Sequence, residues 1–251
     1  MGRLVQAEWT KLLTTRVWIG LLLGSCLLVG AFAALFTAFA GNDDSGIAPV
    51  GTAPYEQLAL AVSANANILF VVLGIIGITQ EYRHRTATPT FLASPHRGQV
   101  VIAKLVAYAL AAVPMALVVI AVDVLVVTLY AGAKGDAPSL SGDNLRVLGG
   151  AWAALVLYTV IGVGVGALLR NQVGAIVGAL VYLFVVEGIV SGIPATQPVY
   201  RWLPGGALEA MTATFNQTDL LSAWQGGLLL LAYALVFSLL GTLLAVRRDV
   251  V

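Results

Sequence analysis

Six long stretches of this sequence carry almost no charge, at about 17–40, 56–79, 100–130, 145–169, 172–193 and 223–246. A helix of about 20 apolar residues crosses the hydrocarbon core of a bilayer. No water reaches that core, so helices and closed barrels are the only structures that satisfy their own backbone there. Runs of this length, unbroken by period-two alternation, specify helices. The expected fold is an all-α membrane protein with six transmembrane helices, forming a single domain over residues 1–251. Charged residues make up 10% of the chain, against about 25% in soluble domains. Most of its surface therefore faces something other than water. A net charge of +1 also argues against nucleic acid, whose binders are strongly basic.

The polar segments between the runs set the topology. Residues 1–16 place Leu4, Val5, Trp9, Leu12 and Leu13 at helical spacing among Arg3, Glu8, Lys11 and Arg16. This pattern suits an elbow helix lying in the interface with Trp9 at headgroup level; the alternative is that it extends the first span. Lysine and arginine gather on the inner side of membranes. With the N-terminus inside, Arg3, Lys11, Arg16, Arg83, Arg85, Arg97, Lys104, Arg170, Arg247 and Arg248 lie inside, and only Lys134, Arg146 and Arg201 outside. Both ends are thus expected on the cytoplasmic side of a cell membrane. Ala38-Phe39-Ala40 before a polar turn mimics a signal-peptide cleavage site. The apolar run ahead of it exceeds the roughly 7–15 residues of such a signal, so the segment is expected to stay. Residues 194–222 hold Pro194, Pro198, Pro204 and Gly205-Gly206 before a short apolar stretch. They suggest a re-entrant or interfacial hairpin over the outer mouth.

Few residues offer chemistry. No Gly-x-x-x-x-Gly-Lys-[Ser/Thr] loop occurs, so the chain does not hydrolyse ATP by that route. Its only histidines, His84 and His96, stand in the inner segment with no cysteine nearby. No metal site and no intramembrane protease are expected from them. Cys26 is alone in an apolar run and reads as packing. Asp123 and Glu187 sit inside apolar runs, where a charge costs at least about 2.5 kcal/mol on insertion scales. Ser63, Asn65 and Asn67 lie at similar depth in span two, Ser63 and Asn67 sharing one face of a continuous helix. Ser63, Asn65, Asn67 and Glu187 either line a cavity in the outer half or bond one helix to another; the same choice holds for Asp123. The pairs Gly162 and Gly166, and Gly174 and Gly178, have the spacing that lets helices approach closely. They are expected to seal the hairpin of spans four and five, or to make a dimer contact.

The densest charge falls between spans two and three, over residues 80–104. Glu8-Trp9-Thr10-Lys11-Leu12, and then Glu81-Tyr82-Arg83, Thr86, Leu92-Ala93-Ser94-Pro95, Arg97 and Lys104, resemble the ABC-2 type transporter permeases, actinobacterial members in particular. Arg85 stands where the family usually has glycine. The resemblance extends to topology over the whole chain: six spans, both ends inside, and an outer re-entrant segment before the last.

What it implies is a bacterial transport subunit without its own ATPase site. The chain itself would hold no cofactor; ATP and Mg would sit in a separate ABC ATP-binding subunit, and two permease copies would pair, as a homodimer in the simplest case. A coupling helix at about 84–94 would enter a cleft of the ATPase. Glu81, Arg83, His84, Arg85, Thr86, Phe91, Leu92, Pro95 and Arg97 would make or frame that contact. Spans two and five would line a cavity at the dimer interface. The expected activity is export of a hydrophobic or amphipathic substrate: a drug, antibiotic, peptide or lipid. An ion-coupled secondary transporter, titrating Asp123 or Glu187, is the alternative, as is a passive channel or scramblase.

Overall fold

The structure is a computed structural model and describes residues 1–83, 97–212 and 220–247. The expected coupling helix, with His84, Arg85, Thr86, Phe91, Leu92 and Pro95, lies outside the described residues. All regular structure among those described is helical. Six segments there are long and apolar enough to cross a membrane: Val17–Phe39, Ala53–Arg83, Gly98–Ala133, Asp143–Leu169, Gln172–Gly192 and Ala223–Leu243.

Helix α1 (Gly2–Thr14) precedes span one, which is α2 (Val17–Phe39). The two meet at Arg16, whose φ of 20° breaks the helical path. Only Ser25, Val29, Ala33 and Thr37 of α2 are buried. They are four apart, so they form one ridge along the helix. A side chain at Gly30, beside that ridge, would touch Val122 and Val126 of span three. Leu23, Leu27, Phe32, Leu35 and Phe39 are exposed, as lipid-facing residues should be. Lys134 closes the far end of α2 by donating to the carbonyls of Thr37 (2.7 Å) and Ala38 (2.9 Å). A cation is favoured there by the unpaired carbonyls and the helix dipole.

Span two is broken. It comprises α3 (Ala53–Ala61), a 3-10 turn (Val62–Ala66) and α4 (Asn67–Arg83). Short polar side chains explain the break, because they compete for backbone groups. Ser63 Oγ donates to Leu60 O at 2.8 Å, and Asn65 Nδ2 donates to Val62 O at 3.1 Å. Span three, α5 (Arg97–Ala133), runs 37 residues through Pro114. At 1.5 Å per residue it reaches about 55 Å, well beyond a hydrocarbon core of about 30 Å. Span four is α6 (Asp143–Leu169).

Spans two and four form the centre, and glycine decides how close they come. A β-carbon on Gly74 would strike Thr159 O, and one on Gly162 would strike Val71 O. Gly166 likewise faces Ile75 and Ile78 of α4. This corrects the expected hairpin seal. The small face of span four serves span two, while Gly178 meets open space and Gly174 meets only Asn171. The two-residue turn of Arg170 and Asn171 does not force spans four and five together along their length. Span five therefore lies outside the tight pair, with Val173, Val177 and Phe184 exposed.

That turn is well specified. Arg170 takes φ 52° and donates its N–H to Gly166 O at 2.9 Å. Asn171 Oδ1 accepts from Gly174 N–H at 3.0 Å, capping the next helix. Span five is α7 (Gln172–Val181), a π turn (Tyr182–Val186) and α8 (Glu187–Gly192). A short helix α9 (Gln197–Tyr200) and then α10 (Pro204–Thr212) follow. Pro204 to Ala207, Ala210 and Met211 are buried, so α10 is wedged among the spans, packed on α6 and on α11 (Ala223–Arg247), which forms span six.

Candidate functional site

Two clusters stand out, one at the Glu81 end of α4 and one at the 3-10 break of span two. The first joins three helices. Glu8 and Lys11 come from α1, Glu81 from the end of α4, and Lys104 from the second turn of α5. Lys11 Nζ lies 2.7 Å from Glu8 Oε1 and 2.8 Å from Glu81 Oε1. Lys104 Nζ pairs with Glu8 Oε2, and with Glu81 Oε1 at 3.0 Å. It also donates to Gly77 O at 3.3 Å. Lys104 is 1% exposed, Glu8 4% and Glu81 6%. Burying charge is tolerable only with full pairing, and two acids matched by two bases achieve it. Lys11 reaches partly into solvent. Burial pulls its ammonium downward, but the hydrogen bonds to Glu8 and Glu81 prevail and hold it above the ordinary lysine value.

Glu81 is thus turned inward at the foot of the 84–96 segment. Arg83, two residues on, is exposed and points Nη1 toward Gln172 Oε1 at 3.5 Å. Arg170 stacks its guanidinium over Tyr82, 5.7 Å from the ring centroid. Arg97 opens α5 on the far side of the segment. The convergence of Glu8, Lys11 and Lys104 has one sign in the sequence, a lysine standing a full turn inside an apolar run.

The second cluster surrounds a cavity of about 560 Å³ between α2, the 3-10 turn of span two, span five and α10. The structure brings Asn65, Asn67 and Glu187 together on its lining, joined by Tyr200 and Glu209. Phe32, Phe36 and Phe39 of α2 and Phe184 of span five add aromatic rings to the lining. Glu187 Oε1 accepts from Gly205 N–H at 3.0 Å. Glu209 Oε1 accepts from Tyr200 O–H at 2.8 Å. Burial pushes the Glu209 carboxyl above its usual range. Burial and the nearby Glu209 likewise push the Tyr200 hydroxyl up.

Ser63 is turned away from this cavity, because a 3-10 turn rotates successive side chains differently from an α-helix. Its N–H instead donates to Asp123 Oδ2 at 3.3 Å. Asp123 is fully buried and braces the broken turn from span three. It bonds helix to helix, the second of the two uses open to it. Among the described residues no group of three or more His, Cys, Asp or Glu is arranged to hold a metal.

A family model described as ABC-2 family transporter protein matches residues 4–186. The chain belongs to the ABC-2 transporter family. ABC-2 permeases are membrane transport subunits distinct from the ATPase, and the family implies pairing with an ABC ATP-binding subunit. The match takes in α1, spans one to four and span five as far as Val186, and so includes the whole ion-pair cluster of this ABC-2 protein. Among curated proteins no match to the chain is found.

Proposed function

We propose that the chain is the permease of an ATP-driven exporter, working as a homodimer with two copies of a separate ATP-binding subunit. One observation carries the reading: the buried ion pairs tie α1, span two and span three into a single unit at the two ends of the 84–96 segment. A push on that segment from outside the membrane is then passed to three helices at once. The distribution of Lys and Arg supports a cytoplasmic location for this end. ATP and Mg belong to the partner subunit. Closure of the ATPases moves a coupling helix at about 84–94, the two permease copies rock, and the cavity opens outward. Such a cycle requires nucleotide state to bias a bistable membrane element.

In this reading Glu81 acts as an anchor within the permease, and Arg83, Arg85 and Arg97 are the polar contacts to the ATPase. The helix α1 serves as the elbow, and α9 with α10 as the outer hairpin. The apolar, aromatic lining of the cavity supports a hydrophobic or amphipathic cargo. Exposed Phe32, Leu35, Phe39 and Phe184 on its rim support coverage by a second permease copy.

The test is co-purification with a stand-alone ABC ATP-binding subunit encoded beside this chain. Replacing Arg83 and Arg85 together with alanine is expected to abolish the association while the permease still elutes as a folded particle. Cargo movement at full rate without any nucleotide hydrolysis would overturn the proposal.

A further inference from the structure

The cavity has a charge bias that its size and greasiness do not explain. Glu187 and Glu209 both line it, and among the described residues no lysine, arginine or histidine does. The carboxylates stand on different elements, α8 and α10, so the bias is not an accident of one helix face. Each is fixed by a donor: Gly205 N–H holds Glu187, and Tyr200 O–H holds Glu209. Among the described residues, neither is paired with a cationic side chain. A second observation is independent of the acids. Four phenylalanines, Phe32, Phe36, Phe39 and Phe184, share the lining with them, and aromatic faces attract cations. At about 560 Å³ the space falls within the range of small-molecule sites.

Glu187 is buried and Glu209 half-buried, and a carboxylate drawn out of water without a countercharge is costly. The ion-pair cluster at the Glu81 end of α4 avoids that cost with its own lysines; among the described residues the cavity has none. A positively charged ligand would supply that countercharge on entry. It would also have to be apolar enough to leave water and the bilayer surface. We propose that the cavity selects a small lipophilic cation, one charge carried on an aromatic or aliphatic body. The inference rests on reading the cavity as the cargo site.

Two isosteres of opposite sign test it: tetraphenylphosphonium and tetraphenylborate. Binding of each to the full-length protein in neutral detergent is measured by titration calorimetry against empty micelles. The phosphonium is expected to bind saturably and at least about tenfold more tightly than the borate, a difference of about 1.4 kcal/mol. Glu187→Gln with Glu209→Gln should remove most of that preference. Glu209→Gln alone should reduce it, in case Glu187 is needed for packing against Gly205. Asn65→Trp, which fills the lining, should abolish binding of the phosphonium.

Equal affinity for both ions, or a preference unchanged in the double variant, would overturn the charge selectivity and leave the cavity standing as a binding site. Binding of the phosphonium that survives Asn65→Trp would place the ligand elsewhere and overturn the inference. Saturable binding of neither ion would sink both this inference and the cargo site beneath it, whereas loss of ATPase association in the Arg83 and Arg85 variant tests the exporter reading separately.

Discussion

Lys104 is the residue on which the ion-pair cluster turns, because it is 1% exposed and faces two carboxylates. Breaking a buried pair leaves an uncompensated charge, at about 3–5 kcal/mol. Lys104→Met is therefore expected to lower the thermal unfolding midpoint sharply in detergent, and adding Glu8→Gln should restore much of the loss by rebalancing the cluster. Lys11 makes a pH prediction. Its folded pKa lies above its unfolded value, so its contribution to stability is fully present below the unfolded pKa of about 10.4 and is lost as pH rises through the folded one. A pH series of unfolding midpoints should fall more steeply above about pH 10 in the native chain than in Lys11→Met. None of these pairings was legible beforehand, since Glu8 and Lys104 are 96 residues apart and nothing local to either names the other. Asn65, Asn67 and Glu187 were legible as a set, because an acid or amide inside an apolar run is conspicuous by itself. Ser63 was not separable from them, since its direction depends on a 3-10 turn that hydropathy does not register.

The six spans could be read from apolar length alone, whereas which helix packs on which could not. Small-residue spacing marks a face that permits close approach, but it does not say which partner will use it. Gly162 and Gly166 show the difference: their face meets α4, and the neighbouring span in sequence lies outside. The consequence is testable at this scale. Gly162→Val places side-chain atoms where Val71 O already stands, so the central pair must separate. Overpacking of this kind typically costs about 1–3 kcal/mol, and a lower unfolding midpoint with reduced yield of monodisperse protein is expected. Gly178 has open space around its Cα. Gly178→Val should leave the midpoint near its native value, within the roughly 0.5 kcal/mol usual for surface changes. If the two substitutions were equally harmful, the assignment of the tight interface to spans two and four would be wrong.

At the scale of the whole molecule, α4 runs between the two clusters, from the ion pairs at Glu81 to the 3-10 break that carries Asn65 at the cavity lining. The lower part, α4, is bonded through Glu81 to α1 and α5. The 3-10 turn is bonded through Ser63 to Asp123 of α5, and α3 through Glu56 to Ser139 and Asn144 near the start of α6. Force applied at the ion-pair end would thus travel along α4 to the turn that carries Asn65 at the cavity lining. Removing charge in balanced fashion should cut this path without unfolding the protein. Glu8→Gln with Lys104→Met leaves Lys11 paired to Glu81, so no unmatched charge is buried, yet α1 loses its ion pair to α5. In the reconstituted complex this double variant is expected to keep assembly and nucleotide hydrolysis while cargo movement per ATP falls severalfold. Glu56→Gln, at the other end, keeps the size of the side chain and removes only its charge, so coupling should change little. Cargo movement and hydrolysis falling in equal proportion in the double variant would mean that the cluster only holds the fold together, and that the motion reaches the cavity by another route.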